Sequence, residues 1–382
     1  MTNKMLIFAI GFLLTFNFLS ANAQNRESSL EDLYKNETAG NFSGSMVVAD
    51  NGKIIFQRSK GYADIAGKRL NDASTNFSLA SLSKVFTAVA VMQLKEENKI
   101  NLDDPLTKYL SDFPFPDITI RQILSHTSGL PNFEIFDHYK RPSGQAFLSY
   151  RDIMPALKQG VKTLSAPGTE WHYSNIGFGL LAMLVETVSH QPFPLYFSEH
   201  IARPAGLVNT YVEDPGCQGC DPSKAVLYIH PTSPTASFSA TDTLVTDLSD
   251  PIQTIAGPGL VISSINDLLK FDEALYGDHL LKAATRAEMF KPAKFANGAF
   301  VQLEHAPLYN TLGWGEDIDS SAGTIVSHTG GSPGISTIFV RNISKHQTVI
   351  ILENTDNHAV IPLGVNAMNV LNDRPLIHFR AD

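Results

Sequence analysis

The sequence predicts an α+β fold: an antiparallel sheet flanked by helices, with an all-helical region of roughly residues 80–280 inserted between strands from the two ends of the chain. Three observations point there. Alternating β-rich runs cluster near both ends. Apolar runs of helical length fill the middle. No internal repeat or low-complexity block divides the 382 residues. Strands at both ends with helices between them suit one sheet domain whose chain detours through a helical region.

The first 23 residues are expected to be a signal peptide. Lys4 precedes an apolar run from Met5 to Leu19, and Ala21-Asn22-Ala23 offers the small residues a signal peptidase accepts. Thr15 and Asn17 interrupt the run, which is shorter than a membrane span needs. No Cys lies near the cleavage point, and no later segment is long and apolar enough to cross a bilayer. Residues 24–382 are therefore expected to form a single domain, secreted or periplasmic, with no stable membrane anchor. A monomer is the default expectation.

Ser45 to Val48 and Ile54 to Gln57 flank Asp50-Asn51-Gly52, and Asn-Gly between apolar runs signals a hairpin. Leu82 to Leu94 is apolar on nearly every face, so a buried helix is expected. Thr119-Ile120-Arg121-Gln122 has the form of a capping box. Ile176 to Val188 reads as a helix that Ser174 or Asn175 caps, and Ser264 to Asp267 starts another. Residues 207–256, rich in Pro, Ser, Thr and Asp, read as a loop insertion. Gly323 to His328, Ser336 to Arg341 and Gln347 to Leu352 are strand runs, and the N-terminal hairpin can join their sheet.

A net charge of −9 without a basic cluster argues against nucleic acid as a partner. Cys217 and Cys220 are the only cysteines. In an exported chain a local disulfide is the favoured reading, and a zinc site would need ligands that are not in register.

The chemistry begins at Ser81-Leu82-Ser83-Lys84. Residues three apart share a helix face, so the Lys amine can sit beside the Ser hydroxyl. A hydroxyl needs a base to become a nucleophile, and burial lowers a Lys pKa toward that task. About one Ser-x-x-Lys match is expected by chance in such a chain, and alone it reads as an ordinary helix start. Tyr173-Ser174-Asn175 lies at a loop-to-helix junction. Tyr can move a proton, and Asn can hold both a Lys and a substrate amide. Its plainer reading is a packed ring beside a helix cap. His328-Thr329-Gly330-Gly331 follows a strand. His328 and Thr329 can bind a carboxylate or carbonyl, and Gly330 lets a substrate backbone lie close. The Gly331 N–H, with that of Ser81, can hold an oxyanion. Its plainer reading is a strand end with a Gly turn.

Three such signals in this order resemble the serine β-lactamase and penicillin-binding family, with its Ser-x-x-Lys, Ser-Asp-Asn and Lys-Thr-Gly motifs. The Tyr-x-Asn form resembles the branch of class C β-lactamases, DD-peptidases and related esterases. Phe77-Ser78-Leu79-Ala80-Ser81, Leu124 to Leu130 and Gly257-Pro258-Gly259-Leu260 match as well. The resemblance implies a β-lactamase/transpeptidase-like fold and an acyl-enzyme on Ser81. Lys84 and Tyr173 would move the proton, Asn175 would orient Lys84 and substrate, and no metal or cofactor would be needed. His126 reads as structural, and Trp171, His172 and Trp314 as cleft lining or packing. His328 departs from the Lys of class C enzymes and resembles certain DD-peptidases and esterases, which weakens the expectation of efficient β-lactam hydrolysis. The substrate is then a small molecule or peptide: a β-lactam, a D-Ala-D-Ala-type peptide or an ester. The alternatives are a penicillin-binding sensor that is acylated without turnover and an inactive scaffold.

Overall fold

The structure is a computed structural model that describes residues 25–40, 42–217, 219–229, 243–244, 251–303, 306–355 and 359–379. The leader expected over residues 1–23 lies outside them, as does much of the loop expected over 207–256. No helix among the described residues is long and apolar enough to cross a membrane.

A seven-stranded antiparallel sheet joins the two ends of the chain. Its order is Leu308–Asn310, Gly315–Asp317, Ile325–Ser332, Ile335–Asn342, Gln347–Glu353, Gly44–Asp50, Lys53–Lys60. The first hairpin turns at Asn51 and Gly52, with φ of 50° and 70°. That is the left-handed pair a two-residue turn requires. The first strand then pairs with the last, from Gly44 opposite Glu353 to Asp50 opposite Gln347.

Period-two alternation divides the sheet's side chains between two cores. Met46, Val48, Ile338, Val340, Val349 and Ile351 face a cluster with Leu30, Leu33, Leu363 and Met368. These come from the helix of residues 25–37 and from the helix Val360–Leu371. Val47, Val326, Phe339, Ile350 and Leu352 face the larger cluster. There the helix Lys84–Glu96 buries ten of its thirteen residues. Each fully buried large apolar side chain contributes about 1.5–3 kcal/mol, so this helix anchors the segment that precedes it.

The inserted region is dominated by helices, among them Ile120–Leu124, Asn175–Ser189 and Ile265–Tyr276. The Thr119 capping box and the Ser264 cap form as expected. The region also carries a small sheet in the order Phe77–Ser78, Val261–Ser263, Tyr211–Val212. A disulfide joins Cys217 to Cys220. Next to it, Asp221 accepts hydrogen bonds from Asn76 and Tyr211, which ties this loop to the strand leading toward Ser81.

Candidate active site

The segment carrying Ser81 is held by the small sheet. The Leu79 N–H donates to the Val261 carbonyl at 3.0 Å, and the Val261 N–H donates to the Ser83 hydroxyl at 3.1 Å. Ala80 then takes a φ of +45°, a conformation that costs an L-residue energy and recurs at functional sites. Its methyl is held among Leu227, Ile252 and Ile335. Ser81 lies in a 3-10 turn, Ala80–Ser83, and the α-helix begins only at Lys84. This differs from the α-helical start the sequence suggested. The tighter turn eclipses residues three apart, so Ser81 and Lys84 still stand one above the other.

Lys84 is fully buried. Its Nζ lies 3.0 Å from Ser81 Oγ, 2.6 Å from Asn175 Oδ1 and 3.2 Å from the Pro258 carbonyl. The rings of Tyr173 and Phe178 flank it, their centroids 4.9 and 5.7 Å away. No carboxylate is among these neighbours. Loss of water therefore dominates, and it pushes the Lys84 pKa well below the usual lysine value. The easier the amine is to deprotonate, the more readily it offers Ser81 a lone pair to receive the hydroxyl proton.

Ser174 caps the helix Asn175–Ser189 by accepting from the Gly177 N–H at 3.1 Å. This settles which of the two candidates is the cap and leaves the Asn175 amide free for Lys84. The Asn175 N–H donates to Asn132 Oδ1 at 3.1 Å. Burial raises the Tyr173 pKa, and a hydrogen bond with Ser81 pulls it partway back, so its phenol keeps its proton at neutral pH. His126, at a φ of 55°, is buried behind Tyr173, with ring centroids 4.5 Å apart. Its Nδ1 accepts from the Ser174 N–H at 3.2 Å. Desolvation, aided by the charges of Lys84 and His328, drives its pKa far down. The reading of His126 as structural is compatible with this contact, although its ring reaches Tyr173 directly.

His328, Thr329, Gly330 and Gly331 lie within the strand Ile325–Ser332, which runs further than the sequence suggested. On one side the strand pairs throughout with Ile335–Asn342. On the other, Gly315–Asp317 reaches only Ser327 and Val326. From His328 onward that edge has no strand partner among the described residues, so an extended substrate could add to it. The two glycines differ. A Cβ on Gly330 would collide with the Leu79 carbonyl and the Thr337 hydroxyl, so Gly330 lets the strand press against the Ser81 turn. Gly331 is exposed and faces open space. His328 is half-buried, and its Nδ1 meets the Thr329 carbonyl at 2.6 Å. Burial and the Lys84 charge bring its pKa down to about 3.

The structure thus brings together Ser81, Lys84, Tyr173 and Asn175, with the His328–Gly331 edge beside them. Sequence reasoning assigned no role to the Pro258 carbonyl or to Asn132, and only the matching Gly257–Leu260 segment hinted at the former. Of the aromatic candidates, Trp314 is buried against Phe290 and Phe339 and acts in packing. Trp171 is half-buried beside Tyr173. The one cluster of metal-ligating type among the described residues is Asp272, Glu273 and His346. Its Asp272 is already engaged by Arg341 and Thr348.

Comparison with known proteins agrees with this geometry. The family model described as Beta-lactamase matches residues 30–363. Penicillin-binding protein 4* of Bacillus subtilis is 31% identical over 340 residues, covering 87% of this chain and 73% of its own. In fold, the chain is similar to a penicillin-binding protein from Bacillus halodurans, with a TM-score of 0.74 and 24% identity over 90% of this chain and 99% of that one. It is also similar to a D-amino acid amidase from Ochrobactrum anthropi, with a TM-score of 0.72 and 21% identity over 90% and 99% of the two chains. The chain belongs to the Beta-lactamase family and is a serine hydrolase of the β-lactamase and penicillin-binding type.

Proposed function

We propose that this protein is an exported, monomeric serine hydrolase that cleaves an amide or ester bond through an acyl-enzyme on Ser81. The observation that carries the reading is the water-excluded Lys84 amine 3.0 Å from Ser81 Oγ. Ser81 Oγ attacks the substrate carbonyl and passes its proton to Lys84. The C–O bond to Ser81 forms, and the oxyanion is held by the N–H groups of Ser81 and Gly331. The bond to the leaving amine or alcohol then breaks. The leaving group takes a proton through the Tyr173 hydroxyl, which Lys84 resupplies. Water repeats the sequence on the acyl-enzyme and frees the carboxylic acid and Ser81. Asn175 holds the Lys84 amine in line, and Asn132 holds Asn175.

The leader-like first 23 residues support export. The penicillin-binding and amidase relatives support amide or ester cleavage. The test is steady-state hydrolysis of nitrocefin, a p-nitrophenyl ester and a D-Ala-D-Ala peptide by residues 24–382, beside Ser81→Ala. The variant is expected to fold normally and to lose turnover by about 10³-fold or more. Activity retained in Ser81→Ala would remove Ser81 from the mechanism. A stable Ser81 adduct without turnover on any substrate would mark a sensor.

A further inference from the structure

His126 stands where a helix ends. After the helix Ile120–Leu124 and its cap Ser125, the His126 N–H donates to the Ile123 carbonyl at 3.2 Å and the Thr127 N–H to the Gln122 carbonyl at 2.8 Å. That pair of bonds asks the residue after the cap for a left-handed backbone, which Gly or Asn supplies most easily. His126 supplies it at a φ of 55°. Ending the helix therefore gives no reason for an imidazole here.

The buried His126 meets Tyr173 in three ways. Its carbonyl accepts from the His172 N–H at 2.8 Å, and its Nδ1 accepts from the Ser174 N–H at 3.2 Å. One residue thus takes the peptide N–H groups on both sides of Tyr173. An N–H can only donate, so Nδ1 keeps its lone pair and the ring is neutral. The ring also packs on the phenol ring, with centroids 4.5 Å and planes 35° apart, and on Phe178 at 5.2 Å. Tyr173 and Phe178 are the two rings that flank Lys84. Tyr173 lies one residue outside the Ser174 cap, where the helix's own bonds do not fix it.

We infer that His126 is the positioning residue of Tyr173: by accepting from the peptides on both its sides and packing on its ring, it fixes the phenol where the leaving group takes its proton. This rests on the serine hydrolase reading above and assigns one more residue to it. Without the Nδ1 acceptor the Ser174 N–H loses its partner, and the phenol is free to turn away. Attack by Ser81 passes its proton to Lys84 and is largely spared. Departure of a poor leaving group, which takes the Tyr173 proton as its bond to the carbonyl carbon breaks, slows by about tenfold or more.

The test measures kcat/KM at pH 7 for the 4-nitrophenyl and phenyl esters of one acid. 4-Nitrophenolate leaves without a proton, whereas phenolate gains from one. His126→Phe keeps a ring but removes the acceptor, and the ratio of nitrophenyl to phenyl ester is expected to rise tenfold or more. His126→Asn keeps an acceptor and tolerates the positive φ, and its ratio should stay within about threefold of the unaltered protein. In Tyr173→Phe, adding His126→Phe should move the ratio no further, because the two residues act as one. Equal loss on both esters would make His126 structural only and overturns the inference. So does a ratio that moves as far in His126→Asn as in His126→Phe, or a further rise in the Tyr173→Phe background. Failure of both single His126 variants to fold overturns it too. Ester turnover that survives in Ser81→Ala, or is absent for both esters, sinks the ester-cleaving reading and this inference with it, whereas Ser81-dependent turnover with an unmoved ratio sinks only the role of His126.

Discussion

Lys84→Met removes the amine beside Ser81 and leaves a side chain of similar length in the same apolar surround. In the unfolded chain Lys84 titrates near the ordinary value of 10.5, and in the folded protein well below it. Between those two values the unfolded state holds a proton that the folded state lacks, so stability rises with pH. The contribution is complete above the unfolded value and is lost as pH falls toward the folded one. One proton corresponds to about 1.4 kcal/mol per pH unit, which is the ceiling on the slope between pH 7 and pH 9. The variant lacks the group and lacks this slope. At any single pH the comparison is blurred, because Met also leaves Asn175 Oδ1 and the Pro258 carbonyl without a donor, at about 1–3 kcal/mol each. The slope is free of that offset. Urea unfolding of both proteins at pH 7, 8 and 9 should show the unaltered protein gaining on the variant at each step, with kcat/KM of the variant down by about 10² or more. A difference that stays flat with pH would mean that Lys84 enters the folded state protonated, and a neutral-amine base would be refuted.

Gly330→Ala should cost about 1–3 kcal/mol of stability and about 10²-fold in kcat/KM, because the new methyl strikes the Leu79 carbonyl and displaces the Ser81 turn; kinetics within twofold of the unaltered protein would show that the turn yields freely. Asp272→Ala strands the buried Arg341 guanidinium that it accepts from, and should cost about 3–5 kcal/mol in urea unfolding while leaving kcat unchanged where the protein is folded. A loss below about 1 kcal/mol would mean that water reaches this pair.

Much of the site was legible because its decisive relations are local. Ser81 and Lys84 are three residues apart, so one turn of either helix type brings them together. The apolar run after Lys84 already implied the burial that lowers its pKa. The Asn51-Gly52 turn and the Thr119 and Ser264 caps were readable because each is set by side chains within a few residues. What stayed hidden depends on contacts across the fold. The positive φ at Ala80 is held by Leu227, Ile252 and Ile335, which lie far away in sequence. The inward demand on Gly330 comes from Leu79 and Thr337. The Pro258 carbonyl is a backbone atom, and residue type says nothing about where it points. The contact of His328 Nδ1 with the Thr329 carbonyl is likewise made to a backbone atom.

The pairing of the first strand with the last has a consequence for how the chain reaches this state. Gly44–Asp50 sits between Lys53–Lys60 and Gln347–Glu353, so its ladder stays half-made until almost the whole chain has been synthesised. Closing so long a loop costs entropy before any contact repays it, which slows folding. Until Gln347–Glu353 arrives, the N-terminal hairpin shows a bare edge that invites pairing with other chains. A chain cut short before residue 347 leaves that edge permanently open.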